Sequence, residues 1–187
     1  MGKVYFTRHG QTVWNVENKI CGATDIELTE QGHLQAVELG EKIAERQLAG
    51  NLHIDEILYS PLIRAAETAR HISEKTGIPM RMEQRLIEQN YGRFESTPRD
   101  GKEFLAAKAH FLDHYDGGET MMHLCQRIYN LLDEIKAESD SKTYLLVAHN
   151  GISRIIQSYF FDMTNEEFAA FGIKNCEIRE YEFGLHN

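Results

Sequence analysis

Two histidines of this chain stand where the strands of an α/β protein would end. His9 follows an apolar run at residues 3–7, and His149 follows a longer apolar run at residues 142–148. Parallel strands present their carboxyl ends at one edge of a sheet, and ligands bind in the crevice there. We therefore expect the two imidazoles to share one rim, in an arrangement that indicates a reactive site.

Two arginines accompany these histidines. Arg8 lies at the end of the first apolar run, and Arg64 follows a short strand predicted at residues 55–59. The planar guanidinium group matches phosphate oxygens in pairs. Helices predicted to begin after Ser60 and after Asn150 would add backbone donors and the positive end of the helix dipole. A rim with two imidazoles and two guanidinium groups suits a dianionic phosphate.

The hydrophobic pattern predicts the elements that position these side chains. Strands are predicted at residues 3–7, 55–59, 78–82, 142–148 and 175–183. Helices are predicted to begin at Thr29 and at Ser60, and to cover residues 101–114, 119–137 and 151–161. Strands separated by helices predict an α/β fold, namely a three-layer sandwich with a mostly parallel central sheet and helices on both faces.

Composition narrows the class of protein. The 187 residues, 42% of them hydrophobic, fit one globular domain. The formal net charge of −9 argues against nucleic-acid binding but leaves room for a small anionic substrate. No apolar run approaches the roughly 20 residues of a membrane span. The cysteines are three, an odd number, and they lie far apart in sequence: Cys21, Cys125 and Cys176. This argues against a disulfide framework and fits a reducing compartment, so a cytoplasmic protein is expected.

Four segments of the chain carry recognisable motifs in a fixed order. They lie at residues 8–32, 60–69, 88–92 and 147–151, beginning Arg-His-Gly-Gln-Thr, Ser-Pro-Leu-Ile-Arg, Glu-Gln-Asn-Tyr-Gly and Val-Ala-His-Asn-Gly. In this order they resemble the histidine phosphatase superfamily, which includes cofactor-dependent phosphoglycerate mutases and related phosphatases. The resemblance implies a phosphoglycerate mutase-like fold with one catalytic domain over residues 1–187. It also implies a small cap segment around residues 91–117.

The resemblance implies roles for five catalytic residues. His9 would be the nucleophile that takes the phosphoryl group on a ring nitrogen. Arg8, Arg64 and His149 would hold the non-bridging oxygens, where charge sits during phosphoryl transfer. Glu88 would protonate the leaving oxygen and then take a proton from water. No metal and no cofactor are implied, because the arginines act as the charge clamp.

Five further residues are expected to bind the substrate. Asn15 would add a neutral donor to the phosphoryl oxygens, and Gly22 would let the loop backbone approach them. Tyr91 and Arg99 are expected to line the pocket. The backbone N–H of Asn150 would face the phosphate.

The remaining histidines do not predict a metal site. His110 and His114 flank Asp113 at a helical i, i+4 spacing, but no upstream carboxylate partner is evident and no glutamate lies between them. Four others are interpreted as ordinary surface or helix residues: His33, His53, His71 and His123.

The length of the cap segment favours hydrolysis over isomerisation. It contains Arg99, Lys102 and Lys108 but no adjacent arginine pair, and a short cap retains a bisphosphorylated intermediate poorly. The predicted function is therefore metal-independent hydrolysis of a small phosphorylated metabolite through a phosphohistidine. A phosphoglycerate mutase that uses a bisphosphoglycerate primer and a non-catalytic phospholigand-binding protein are the alternatives. No oligomeric state is predicted.

Overall fold

A five-stranded sheet forms the centre of the protein in a computed structural model that describes residues 2–184. The strands are β1 (Lys3–Arg8), β2 (Glu56–Tyr59), β3 (Met80–Met82), β4 (Tyr144–Ala148) and β5 (Ile178–Glu182). Their order is β3-β2-β4-β1-β5, and β5 runs antiparallel to β1 while the other neighbours are parallel. The mostly parallel sheet confirms the predicted α/β fold and brings the carboxyl ends of β1, β2 and β4 side by side.

Helices cover both faces of the sheet. Within the described residues they are α1 (Val13–Val16), α2 (Glu30–Leu48), α3 (Ile63–Thr76), α4 (Lys102–Lys108), α5 (Met121–Glu138), α6 (Asn150–Phe160) and α7 (Asn165–Ala170). Alternate residues of a strand point to opposite faces. Accordingly, Val4 and Phe6 belong to the apolar cluster with α5 and α6, whereas Tyr5 belongs to the cluster with α2 and α3. These are the three layers that the sequence predicted.

Strand β4 is buried along its whole length. All five of its residues are buried, with Leu146 facing one apolar cluster and Leu145 the other. A central parallel strand covered on both faces reads as a continuous apolar run rather than an alternating one. This run ends at Ala148, so the next residue, His149, lies at the rim of the sheet.

The start of α3 differs from the prediction. The helix begins at Ile63 rather than at Ser60, and its N-cap residue, Leu62, offers no side-chain hydrogen bond. Instead the Ile63 N–H donates to Asp25 Oδ1 at 2.7 Å, so a carboxylate from a distant loop caps the helix. The Ser60 hydroxyl accepts only a long hydrogen bond of 3.4 Å from the Leu62 N–H and has a second partner, described below.

The cap segment, residues 91–117, also differs from the prediction. The helix predicted at residues 101–114 ends at Lys108, and Tyr115 adopts a left-handed conformation with φ of 55°. The reason is packing, because the Tyr115 ring lies 5.9 Å from Tyr91 and 5.8 Å from Phe94 in a buried aromatic cluster. A continuous helix would carry Tyr115 past these rings, so tertiary contact overrides helix propensity.

Other boundaries shift by a few residues. Thr29, where a helix was predicted to begin, is the N-cap of α2 and accepts a hydrogen bond from the Gly32 N–H. Helix α3 ends at Thr76, with Gly77 in a left-handed conformation as its C-cap. Two short helices, α1 and α7, were not predicted. None of the helices in residues 2–184 is both long and apolar enough to cross a membrane.

Candidate active site

A cleft of about 170 Å³ opens at the carboxyl ends of β1 and β4. It brings together most of the site residues predicted from the sequence. Those that line it are Arg8, His9, Asn15, Glu88, Tyr91, Arg99 and Asn150. The other three, Gly22, Arg64 and His149, are buried next to these residues.

His9 is held in one protonation state by its surroundings. Its Nδ1 lies 2.7 Å from the carbonyl oxygen of Gly10, which can only accept, so Nδ1 carries the proton and Nε2 bears the lone pair. Burial lowers the pKa of His9 well below its usual value, and the charges of Arg64 and Arg8 lower it further. The imidazole is therefore neutral near pH 7, with a nucleophilic Nε2.

The backbone around His9 is fixed from two sides. The His9 carbonyl accepts a hydrogen bond of 2.8 Å from Asn175 Nδ2, close to the end of the chain. The Gly10 N–H donates to Thr68 Oγ1 at 3.0 Å, and Thr68 lies on α3. Asn175 was not predicted as a site residue, since nothing in the local sequence pattern connects residues 166 positions apart.

His149 packs against His9 at the same rim. The two ring centroids are 5.2 Å apart, with an angle of 57° between the planes. His149 Nε2 lies 2.7 Å from the Ser60 hydroxyl, which is why Ser60 is needed here rather than as a helix cap. Burial is also the main cause that lowers the pKa of His149 well below its usual value.

The two arginines are anchored by backbone carbonyls. Arg64 Nη1 donates to Thr24 O at 2.8 Å and Nη2 donates to Gly22 O at 2.7 Å. Arg8 Nη1 donates to Ile173 O at 2.9 Å. Burial lowers the pKa of Arg8 to about 10, so the guanidinium keeps its charge at neutral pH. Backbone carbonyls, which leave the charge of a guanidinium group in place, therefore position both side chains.

Three buried donors at this rim have no partner among the residues that the structure describes. They are Arg8 Nε, Arg64 Nε and His149 Nδ1. A buried polar group without a hydrogen bond costs about 1–3 kcal/mol, and more when it is charged. Such groups persist where a ligand satisfies them, so this set indicates an anion site next to His9 Nε2.

Glu88 sits on the N-terminus of α6. Its Oε1 accepts from the Gln89 N–H at 2.9 Å, and its Oε2 accepts from the Gly151 N–H at 2.8 Å. A Cβ atom on Gly151 would lie 2.4 Å from Glu88 Oε1, so only glycine admits the carboxylate here. This approach explains why glycine follows Asn150 in the final motif.

Glu95 serves as a structural anchor. Its carboxylate accepts the N–H groups of Gly22, Ala23 and Tyr91 at 3.0–3.1 Å, as well as the Thr24 hydroxyl at 2.8 Å. The Glu95 carboxylate thus connects the loop that holds Arg64 to the start of the cap segment. This function of Glu95 was not predicted from the sequence, because three of its partners, Gly22, Ala23 and Thr24, lie more than 70 residues away.

Gly22 does not carry out the function that the sequence predicted. Its N–H donates to Glu95 and its carbonyl accepts from Arg64, so neither group is directed to a phosphate. A Cβ atom at this position would lie 2.2 Å from Gln89 O. Glycine is therefore required because the loop passes close to the Gln89 backbone. The Gly22 carbonyl positions Arg64 by accepting a hydrogen bond from its guanidinium group.

The two asparagines use their carbonyl oxygens within the protein. Asn15 Oδ1 accepts from the Thr12 N–H at 3.1 Å and from Asn175 Nδ2 at 3.2 Å. Asn150 Oδ1 accepts from the Ile173 N–H at 3.0 Å. With its oxygen engaged, the Asn15 amide has its NH₂ group available as a neutral donor in the cleft.

Three further cations surround the outer part of the cleft. They are Arg99, Lys108 and Arg154. Burial, together with the charge of Arg154, lowers the pKa of Lys108 to about 8. Of these, only Arg99 was predicted to line the pocket. Arg154 follows Asn150 by one helical turn on α6, which was an available signal, whereas Lys108 depends on the course of the cap segment.

The histidines considered for a metal site are not arranged as one. His110 and His114 lie after the end of α4, so the helical spacing does not apply. Asp113 Oδ1 accepts from the Tyr115 N–H at 2.8 Å, and His114 Nδ1 accepts from the Gly117 N–H. These contacts shape the turn that closes the cap segment.

The fold and the residues at this rim point to one superfamily of enzymes. The sequence profile described as histidine phosphatase superfamily (branch 1) matches residues 4–186. The chain belongs to this superfamily, as its four motifs indicated.

Relatives within the superfamily include both mutases and phosphatases. A probable phosphoglycerate mutase, GpmB, of Erwinia tasmaniensis is 28% identical over 95% of this chain and 83% of that protein. The 2,3-bisphosphoglycerate-dependent phosphoglycerate mutase of Staphylococcus aureus is 33% identical over 78% of this chain, a match that spans only 58% of the mutase. A solved mycobacterial glucosyl-3-phosphoglycerate phosphatase in complex with VO3 has a TM-score of 0.81 and 26% identity, covering 96% of this chain and 90% of that one.

Proposed function

We propose that this protein is a metal-independent phosphomonoesterase that acts through a phosphohistidine formed on His9. The observation that carries the proposal is the combination of a neutral His9, whose Nδ1 is fixed on Gly10 O, with three unpartnered buried donors at the same rim. A nucleophile and an anion site in contact are the two requirements of phosphoryl transfer to a protein side chain.

The first half-reaction uses His9 and Glu88. The lone pair of His9 Nε2 attacks phosphorus and forms a P–N bond, while the bond between phosphorus and the leaving oxygen breaks. The leaving oxygen keeps that electron pair and takes the proton of Glu88 in its acid form. The Nδ1–H bond to Gly10 O disperses the positive charge that develops on the imidazole.

The anion site stabilises the transferred group. Arg8 and Arg64 offer their unpartnered Nε–H groups to the non-bridging oxygens. When Ser60 donates to Nε2 of His149, the Nδ1 of that ring carries a proton that a third oxygen accepts. Charged donors that are already in position cost no reorganisation at the moment of reaction, which is the main source of catalysis in such sites.

The second half-reaction hydrolyses the phosphohistidine. Glu88, now a carboxylate, takes a proton from a water molecule, and the water oxygen forms a bond to phosphorus. The P–N bond breaks and its electron pair returns to His9 Nε2. Inorganic phosphate leaves, and both residues regain their starting protonation states, so the cycle is balanced.

The proposed substrate is a small phosphorylated metabolite with a second anionic group. The support is the outer ring of cations, Arg99, Lys108 and Arg154, which the phosphoryl site does not need. A cleft of about 170 Å³ admits a compact metabolite rather than a protein chain. The acidic overall charge argues against a nucleic acid as partner.

We also propose that the reaction takes place in the cytoplasm. All three cysteines lie in the described part of the chain, and each is a free thiol. Burial raises the pKa values of Cys21, Cys125 and Cys176, which keeps them protonated and unreactive. Free thiols of this kind are typical of a reducing compartment.

A phosphoglycerate mutase is the second candidate. The 33% identity to the Staphylococcus aureus mutase favours it, and the outer cations would serve a bisphosphorylated intermediate as well as a two-anion substrate. A mutase requires a bisphosphoglycerate primer and hydrolyses its phosphoenzyme slowly. A primer-independent release of phosphate therefore separates the two candidates.

The test is hydrolysis by purified protein in excess EDTA, measured with an aryl phosphate and with a panel of metabolite phosphates. We expect turnover that His9→Ala abolishes, and vanadate should inhibit it competitively. The matched control is His123→Ala, because His123 is exposed on α5; it should retain wild-type turnover. Primer-dependent isomerisation without hydrolysis would establish the mutase, and ligand binding without either reaction would establish a binding protein.

A further inference from the structure

A second group of titratable side chains lies outside the cleft, between α2 and α3. It consists of His33 on α2 together with Glu67 and His71 on α3. One nitrogen or oxygen atom of each residue lies within 4.8 Å of the corresponding atoms of the other two. The proposed phosphatase reaction uses none of these residues.

The two imidazoles of this group face each other through their ring nitrogens. His33 Nδ1 and His71 Nε2 are 2.9 Å apart, and the ring planes meet at 88°. At this distance one nitrogen must be a neutral acceptor, because two ring N–H groups would repel. Two nitrogen ligands of a tetrahedral Zn²⁺ ion are separated by about 3.3 Å, so opening the pair by about half an ångström admits the ion.

Glu67 supplies the third ligand from the same face of α3. It precedes His71 by four residues, which places both side chains one above the other on the helix. Arg70 donates to Glu67 Oε2 at 2.6 Å, so Oε1 is the oxygen that would coordinate. The Arg70 contact orients the carboxylate, as hydrogen bonds to metal-binding carboxylates commonly do.

A carboxylate also stands behind His71. Glu74 Oε2 lies 3.8 Å from His71 Nδ1, on the ring nitrogen that does not face His33. Metal-binding histidines usually direct their second nitrogen to a carboxylate, which fixes the ring and raises its basicity. The side chains of His71 and Glu67 are 14% and 32% exposed, so an ion can reach the site from solvent.

We propose that His33, Glu67 and His71 bind a divalent transition-metal ion of the Zn²⁺ class, with water as the fourth ligand. Two imidazoles and one carboxylate suit Zn²⁺ and its neighbours in the first transition row better than Ca²⁺ or Mg²⁺, which require oxygen ligands. The ion would join two helices that pack on the same face of the sheet. Binding only to the folded state raises the unfolding temperature.

The test uses untagged protein, stripped with a chelator and titrated with Zn²⁺ by calorimetry. We expect one equivalent to bind, and His33→Gln and His71→Gln should each weaken binding about tenfold or more. The matched control is His53→Gln, because His53 lies 2.9 Å from the Asp55 carboxylate but lacks a second imidazole; it should bind like the wild type.

The unfolding temperature, measured with and without Zn²⁺, distinguishes a variant that has lost the metal site from one that is misfolded. Zn²⁺ should raise the unfolding temperature of the wild type, and Glu67→Gln, which keeps the side-chain shape, should lose most of that rise. The proposal is overturned if the wild type binds no Zn²⁺, or if both histidine variants bind it with wild-type affinity. In the second case the ion would lie elsewhere, for example at the paired imidazoles of His9 and His149.

Discussion

The catalytic floor and the cap segment of this protein are built in opposite ways. The floor, defined as Arg8, His9, Arg64, Glu88 and His149, is buried except for Arg8, which is half-buried. Backbone groups and the Ser60 hydroxyl hold it at strand ends and helix starts. The cap segment carries exposed apolar and charged side chains on a short helix, and its hold on the protein is an aromatic cluster. We therefore expect the reaction to depend on the floor and the choice of substrate to depend on the cap segment.

This difference separates two kinds of kinetic effect. In the proposed reaction, floor residues contact the transferring group, whose charge changes, so we expect their loss to lower kcat. Cap residues would contact parts of the substrate that do not react, so we expect their loss to raise KM. The following predictions test that division, beginning with the largest expected effect.

Glu88→Gln should lower kcat by about 10²–10⁴-fold on alkyl phosphates, since general acid catalysis is worth about that much. The loss should be much smaller with p-nitrophenyl phosphate, whose leaving group departs without a proton. Glu103→Gln is the control, because Glu103 is 72% exposed on the cap segment. An equal loss with both kinds of substrate would mean that Glu88 supports the structure rather than the proton transfer.

Arg64→Lys should lower kcat by about 10²–10³-fold, the usual cost of one donor to developing charge. Lysine keeps the positive charge but cannot reach both Gly22 O and Thr24 O while also donating to the phosphoryl group. The free energy of unfolding should fall by about 1–3 kcal/mol, measured with urea. Arg70→Lys on the exposed side of α3 should leave kcat unchanged; a wild-type kcat in Arg64→Lys would remove Arg64 from the clamp.

Lys108→Met should raise KM about tenfold for substrates with a second anionic group, because a charge-assisted hydrogen bond is worth about 1.5–3 kcal/mol. Turnover of a simple aryl phosphate should not change. Lys102→Met on the exposed part of α4 serves as control. Equal effects on both substrates would place Lys108 in the floor rather than in the cap segment.

The same residue predicts a pH dependence. The pKa of Lys108 is lowered to about 8, so the ammonium group is charged below that pH and neutral above it. For two-anion substrates, kcat/KM should therefore fall as the pH rises through about 8. Lys108→Arg should abolish this fall, since a guanidinium stays charged; a fall that persists in the variant would assign it to another group.

Phe104→Leu should have the smallest effect. It removes part of the contact with Tyr91 and Phe94, whose rings lie 5.5 Å and 5.4 Å away, at a cost of about 1 kcal/mol in the free energy of unfolding. KM should rise a few-fold with little change in kcat. A fall in kcat that matched the floor variants would show that the cap segment also sets the geometry of the reaction.

The floor was predictable from the sequence because its geometry follows from local rules. A buried strand reads as an apolar run, and the residue after it reaches the rim, which locates His9 and His149. The supports of the floor were not predictable in the same way. Asn175 reaches His9 across 166 residues, and the Glu95 carboxylate reaches Gly22 across 73 residues; only the assembled fold brings these atoms together.

The cap segment was the least predictable region for a related reason. A helix was predicted at residues 101–114, yet the helix ends at Lys108, and Tyr115 packs in the aromatic cluster. The pairing of His33 with His71 was not predictable from the sequence for the same reason, since the two residues lie on separate amphipathic helices. Local propensity describes each helix alone, whereas these features depend on contacts between elements.

The position of β1 has a consequence for protein synthesis. The first strand lies between β4 and β5, Arg8 is anchored by Ile173 O, and His9 is anchored by Asn175. During synthesis, Arg8 and His9 therefore lack these anchors until residues 173–182 have been made and released from the ribosome exit tunnel. Because β1 cannot complete its pairing before β5 has been made, we expect catalytic activity to appear only after these residues have left the tunnel.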